Sequence, residues 1–195
     1  MTQTQMRPAE GLFTAPRRVE AIADLFANVW QVGYVTTDLD RAMDVLGERY
    51  GLVHCVKVTT EGSSFAVGDR PAQWEARFAM GSRGGTIVEV IEPVSGAVDF
   101  YRRFLPSDGS FALRFHHLAT FVDTGDEEWE RIRGILRASD HDFDYTMVIP
   151  GRVRAGYIDT SAELGHLLEV CQLEHDDLAF FNALVSESSG ASPGT

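Results

Sequence analysis

The 195-residue chain has only two cysteines, Cys55 and Cys171, and few cations, with 17 Lys and Arg against 29 Asp and Glu. Two cysteines are too few for a disulfide framework, and neither has zinc-finger spacing, so both read as reduced thiols of a cytoplasmic protein. A formal net charge of −12 and an isoelectric point near 4.8 repel nucleic acid and anionic membrane unless cations are gathered in one patch. Arg17–Arg18 and Arg102–Arg103 are the only adjacent cation pairs, so no such patch is visible. No apolar run approaches the roughly 18 residues that cross a bilayer. The polar N-terminus, MTQTQMRPAEGLFTAPRR, lacks the apolar segment of a secretory signal. We therefore expect no nucleic-acid partner, no membrane partner and a cytoplasmic location.

What the chain does have is enough apolar side chain for a core, 44% of residues, and an internal repeat. Placing Gln31 on His117 brings QVGYVTTDLD beside HLATFVDTGD, each leading into an amphipathic helix. GTIVEV, residues 85–90, likewise matches GHLLEV, residues 165–170. The first match is offset by 86 residues and the second by 80, as in a module used twice with a small change in loop length.

Local patterns give the elements. A strand over 29–36 ends at Thr-Thr-Asp, where Asp38 or Asp40 caps a helix of about residues 39–49 that puts Leu39, Met43, Leu46 and Tyr50 on one face and closes at Gly51. Strands follow at 52–60, 74–81 and 86–93, with a turn-rich link at 61–73. The second module repeats the order: a strand at 115–123, a helix at 126–139 burying Trp129, Ile132, Ile135 and Leu136, then strands at 143–149, 152–160 and 165–173. The pattern predicts an α+β chain of two βαβββ modules, 29–94 and 113–174. An N-terminal arm occupies 1–28, with a short helix over 19–28. A linker, 95–112, contains a helical turn, and a C-terminal helix and tail occupy 175–195, the helix capped by Asp176 and burying Leu178, Phe181 and Leu184 or Val185.

The repeat also places the chemistry. Gln31 and His117 lie in the two first strands, and Glu89 and Glu169 in the two last. Each glutamate is flanked by apolar residues, and a carboxylate buried in such a strand is costly unless paired or bound to a cation. Modules packed about a pseudo-twofold axis would let the four side chains converge. One imidazole, two carboxylates and an amide oxygen suit a divalent first-row metal with open positions, and do not suit a closed structural zinc site.

The segments VGYVTTDLDRAM, EVIEPVSG, FHHLATFVD and YIDTSAELGHLLEV, in this order and spacing, resemble the vicinal oxygen chelate superfamily over residues 29–173. That superfamily includes glyoxalase I, methylmalonyl-CoA epimerase, extradiol dioxygenases and the bleomycin- and fosfomycin-resistance proteins. The resemblance implies a glyoxalase-like, cup-shaped mixed sheet. It implies one divalent metal ion (Zn, Ni, Co, Mn or Fe) on Gln31, Glu89, His117 and Glu169, with His117 rather than His116 as the histidine ligand, and a homodimer. It further implies a lyase or isomerase that takes a proton α to a carbonyl through a metal-stabilised enolate, with Glu169 as first choice of base and Glu89 second. Tyr157, Tyr145 and Phe121 are candidates for the substrate wall, and the substrate is expected to be a small carbonyl compound. Two alternatives remain: a metal-free binding or resistance protein, and a metal-dependent oxygenase. Gln31 in place of a second histidine argues against the oxygenase.

Overall fold

The computed structural model describes residues 18–27, 29–52, 55–60, 66–68, 70–83 and 86–190. The expected N-terminal arm up to residue 17 and the tail beyond residue 190 lie outside these residues. A short helix, α1 (Asp24–Ala27), precedes β1 (Val29–Thr36), α2 (Leu39–Tyr50), β2 (Cys55–Thr59), β3 (Ala66–Val67), β4 (Arg70–Pro71), β5 (Trp74–Arg83) and β6 (Thr86–Gly96). A helical turn, α3 (Asp99–Arg102), leads to β7 (Leu113–Val122), α4 (Asp126–Ala138), β8 (Tyr145–Ile149), β9 (Val153–Ile158), α5 (Ser161–Leu164), β10 (Leu167–Leu173) and α6 (His175–Gly190). Among the described residues no helix is long and apolar enough to cross a membrane.

The strands form one mixed sheet in the order β2-β5-β6-β1-β7-β10-β9-β8-β3-β4. Its first eight strands are two copies of one motif, meeting at an antiparallel β1–β7 seam. Each seam strand pairs in parallel with the last strand of its own module, β1 with β6 and β7 with β10. The registers carry the repeat residue by residue. Gln31 pairs with Ile87 as His117 pairs with Leu167, and Gly33 pairs with Glu89 as Ala119 pairs with Glu169. Across the seam Gln31 meets Ala119 and Gly33 meets His117, so the twofold exchanges these two pairs.

The β3–β4 hairpin was not expected, because two-residue strands are too short to carry alternation, and the sequence reads there as a turn-rich link. It leaves the first module and adds to β8 at the far edge of the second, with Ala66 opposite Val148 and Val67 opposite Met147. β4 ends at Pro71 and β5, next to the opposite edge, begins at Trp74. Three residues span about 10 Å at most, so the sheet has to curl until its two ends nearly meet. The result is a deep cup.

The helices pack mostly as their patterns predict. Asp38 caps α2, its carboxylate accepting from Arg41 N at 3.0 Å, and Gly51 ends it at φ 71°. The buried stripe of α2 runs through Leu39, Ala42 and Leu46 onto Ala79 and Val90, which leaves Tyr50 70% exposed, contrary to expectation. Trp129, Ile132 and Leu136 of α4 pack on Ile158, Leu168 and Val170, with Ile135 at the margin. The helix expected over 19–28 is limited to α1. The Asp24 carboxylate accepts from Glu20 N and Ala21 N at 2.8 and 2.9 Å and holds the preceding residues in a turn. Asp176 does not cap α6 but lies exposed in its first turn, where Leu178 N already reaches Glu174 O. Phe181, Leu184 and Val185 seat α6 inside the cup against Trp30 and Ile87, with Leu178 half-buried beside them.

One close approach tests the packing of α4. A methyl group on Gly156 of β9 would lie 2.6 Å from the Phe143 ring and 2.8 Å from Trp129, whose rings stack at 4.6 Å. Gly156→Ala is therefore expected to lower stability by about 1–3 kcal/mol through overpacking. Gly134→Ala, in α4 with nothing within 4 Å, is expected to raise it by about 0.5–1 kcal/mol. Urea unfolding of both variants checks this. Equal midpoints would contradict the packing described.

Candidate functional site

Strand alternation turns Gln31, Gly33 and Val35 of β1 into the cup, together with Ile87, Glu89 and Ile91 of β6. On the other side of the seam His117, Ala119 and Phe121 of β7 face inward with Leu167, Glu169 and Cys171 of β10. Gln31, Glu89, His117 and Glu169 are all buried, His117 completely. His117 Nε2 lies 2.9 Å from Glu169 Oε2 and 3.5 Å from Glu89 Oε2. The shorter contact is an ion pair with poor alignment, because neither Nε2 nor Glu169 Oε2 makes a hydrogen bond. Burial pushes the Glu89 carboxyl up to about 7; His117 pulls it down and Glu169 pushes it further up. Burial alone would lower the His117 pKa, but the two glutamates outweigh it and the net direction is upward.

Two details of the seam set the position of the His117 ring. The β1–β7 register steps from Gly33–His117 to Tyr34–Phe115, so His116 is the extra residue of a β-bulge. The bulge carries the His116 ring into an aromatic cage, with Phe104, Tyr101 and Phe100 at centroid distances of 4.8, 5.2 and 5.5 Å. His116 Nδ1 sits 2.9 Å from His117 Nδ1. Burial, then the neighbouring His117 and Arg103, hold the His116 pKa well below its ordinary value, so His116 is neutral and able to accept. The two carboxylates favour a proton on Nε2; when that proton leaves, a His117 that donates from Nδ1 presents a lone pair on Nε2, the form a metal would need. The second detail is Gly33. A Cβ built there falls inside the His117 imidazole, so only glycine leaves room for the ring.

A cavity of about 270 Å³ is walled by Trp30, Ile91, Tyr101, Tyr157, Cys171 and Phe181, and His117 is not among its lining residues. Gln31, Glu89 and Glu169 form part of its surface. Tyr157 lines it with its hydroxyl 3.5 Å from that of Tyr101. The other two expected wall residues are elsewhere. Phe121 packs in the apolar cluster around Trp30 and Phe181, and Tyr145 stacks on Phe100 at 4.1 Å; neither lines the cavity. Tyr101 was not foreseen, because it lies in the segment that reads as a linker. Arg152, Asp177 and Phe180 at the mouth were also missed, since pairing across the cup leaves no mark on a local pattern.

Does this donor set fit a divalent metal? Among the described residues no group of three or more His, Cys, Asp or Glu side chains is arranged to hold a metal ion. The compact trio here touches itself instead. Tetrahedral donors about 2.0–2.1 Å from a common ion stand ~3.3 Å apart, which is the scale of the 2.9 and 3.5 Å contacts. The donor types suit a divalent ion by their chemistry, and Nε2 and Oε2 make no hydrogen bond, but the trio is not set out as a formed site. The amide oxygen of Gln31 is the fourth candidate donor.

No family model matches the chain, and no curated protein matches it in sequence. Solved structures do match. Methylmalonyl-CoA epimerase from Mycobacterium tuberculosis is 18% identical, with 78% of this chain and 91% of that one covered at a TM-score of 0.53. A variant of Streptomyces coelicolor methylmalonyl-CoA epimerase, in complex with 2-nitronate-propionyl-CoA, is 16% identical, with 76% and 95% covered at a TM-score of 0.51. At these identities the likeness is one of fold.

Gly33→Ala tests the seam. With no room beside a fully buried ring, the substitution is expected to destabilise the chain by about 1–3 kcal/mol or more and to shift the His117 imidazole resonances. Thermal melts and nuclear magnetic resonance (NMR) of the histidine side chains measure both. An unshifted His117 in a stable variant would remove the steric role given to Gly33.

Proposed function

From a chain that has the glyoxalase-like fold of the vicinal oxygen chelate superfamily, we propose a metal-dependent isomerase-type enzyme that removes and returns a proton α to a carbonyl. The observation that carries this reading is the buried meeting of His117 with two carboxylates at twofold-related positions, with Nε2 and Oε2 left bare. Gln31, Glu89, His117 and Glu169 would hold one divalent ion of the Zn, Ni, Co, Mn or Fe class. Bound there, the ion would supply a Lewis acid for a carbonyl oxygen gaining electron density.

The protein residues divide the remaining work. Glu169 is the first choice of base. Its Oε2, which makes no hydrogen bond, would accept the α-proton, and the electrons of the broken C–H bond would move toward the carbonyl. Glu89, on the other side of the seam, is the second candidate and would return the proton. The two glutamates sit on β6 and β10, on either side of the seam strands. A substrate lying over the seam would thus have one carboxyl group on each side, the arrangement that inverting a carbon centre needs. Tyr101 and Tyr157 would supply hydroxyl groups to the substrate oxygen.

Elemental analysis of purified protein beside His117→Ala and Glu169→Ala tests the proposal. Near-stoichiometric divalent metal in the wild type, lost in both variants while circular dichroism shows them folded, is the expected result. Wild-type protein is also expected to exchange the α-proton of a substrate carbonyl for solvent deuterium, screened over α-hydroxy carbonyls and acyl thioesters. No metal after reconstitution with zinc, nickel, cobalt, manganese and ferrous iron would overturn it and favour a ligand-binding cup of the resistance type.

A further inference from the structure

The walls of the cup carry information about what enters it. Above the glutamates the lining is apolar, with Phe78, Ile91 and Met147 on one side and Leu173, Phe180 and Phe181 on the other. Arg152 is the one cation among the described lining residues, and it is already engaged. Its Nη2 and Nε donate to Asp177 Oδ1 at 2.6 and 3.2 Å. Asp177 is itself buried, at 7% exposure, so the pair latches α6 to the turn between β8 and β9. Lys57 of β2 does not line the cavity; it shares the α2 side of the sheet with Ala79 and is paired with Asp40 of α2. The helix that covers the cup, HDDLAFFNALVSESSG, contains no Lys or Arg.

Size and charge agree with this lining. A volume of about 270 Å³ falls just under the ~300–1,000 Å³ of pockets that take drug-sized ligands. Two carboxylates balance a divalent ion, and the neutral His117 and Gln31 add nothing, so the floor carries no surplus positive charge for a second anion. A chain of net charge −12 adds long-range repulsion.

We infer that the cup takes a compact, uncharged, largely apolar carbonyl compound, and that Phe180 and Phe181 of α6 with the Arg152–Asp177 latch exclude a polyanionic thioester of coenzyme A. This rests on the reading of the cup as the working site. An aromatic or branched-chain ketone fits the wall, with its oxygen toward Gln31 and the glutamates and its apolar body against Ile91, Cys171 and Phe181.

Calorimetric titration of metal-free and metal-loaded protein with acetophenone and with propionyl-CoA, at low and high salt, tests the inference. Acetophenone is expected to saturate a single site with an affinity that added salt leaves unchanged, since no ion pair is made or broken. Phe181→Trp, which narrows the cavity, is expected to weaken it at least tenfold. If that variant does not fold, Val153→Phe on β9 narrows the same space and serves instead. Propionyl-CoA is expected to give no saturable heat. Saturable propionyl-CoA binding that weakens as salt rises would overturn the inference, as would acetophenone binding to neither form. Failure of the catalytic reading has a different signature: no metal and no proton exchange, with acetophenone still bound by the metal-free protein.

Discussion

Two carboxylates and an imidazole buried together in the middle of a sheet are the constraint that orders this structure. Each ionised group taken from water costs several kcal/mol unless another charge or a hydrogen bond answers it. Here the answer is mutual, with His117 Nε2 between Glu169 and Glu89, and it holds only while the ring stays where it is. Gly33 opposite, the bulge at His116 and the aromatic cage around His116 all act on that position. The site is therefore held by the seam between the modules and not by either module alone.

Duplication supplies the positions, and departures from it supply the chemistry. The twofold relates Gln31 to His117 and Gly33 to Ala119. Both copies would be alike if each first strand carried the same pair. Instead one copy has an amide, and a glycine that admits the ring. The other has the ring, and an alanine that only an amide chain needs to pass. Among the four site residues, only the last-strand glutamates are the same in both copies. The asymmetry continues outside the core. The β3–β4 hairpin belongs to the first module and completes the edge of the second, while α6 follows the second module and packs in the cup beside β5 and β6 of the first. Each module thus lends the other a part, and the cup closes.

The two-module plan was readable in the sequence because a strand period of two and a helix period of 3.6 survive in single segments, and because the offsets of 86 and 80 residues are registers seen from outside. The same repeat pointed to Glu89, His117 and Glu169, which meet, and to Gln31, which lines the same cavity. What was not readable depends on contacts between distant segments. Tyr101 lies in a linker by pattern, yet its ring stacks beside His116 and its hydroxyl approaches Tyr157. Phe121 and Tyr145 alternate like wall residues, but Phe181 and Phe100 cover them. Tyr50 keeps the helical spacing of α2 and still points to solvent, since periodicity names a face and not how far along the helix that face is covered.

Enclosure ties the fold to the chemistry. An open half-cup would leave Glu89 in contact with water, and its carboxyl would stay near the ordinary range of a glutamate. The curl imposed by the short β4–β5 connection, the α3 turn that inserts Tyr101 and the latch of α6 through Arg152 and Asp177 remove that water. Charge interactions strengthen as the local dielectric falls, so the enclosure that raises Glu89 to about 7 also sharpens its coupling to His117 and Glu169. The same walls admit little that is large or charged. On the proposed reading, reactivity at the floor and selectivity at the mouth would have one physical source, and loosening α6 would weaken both together.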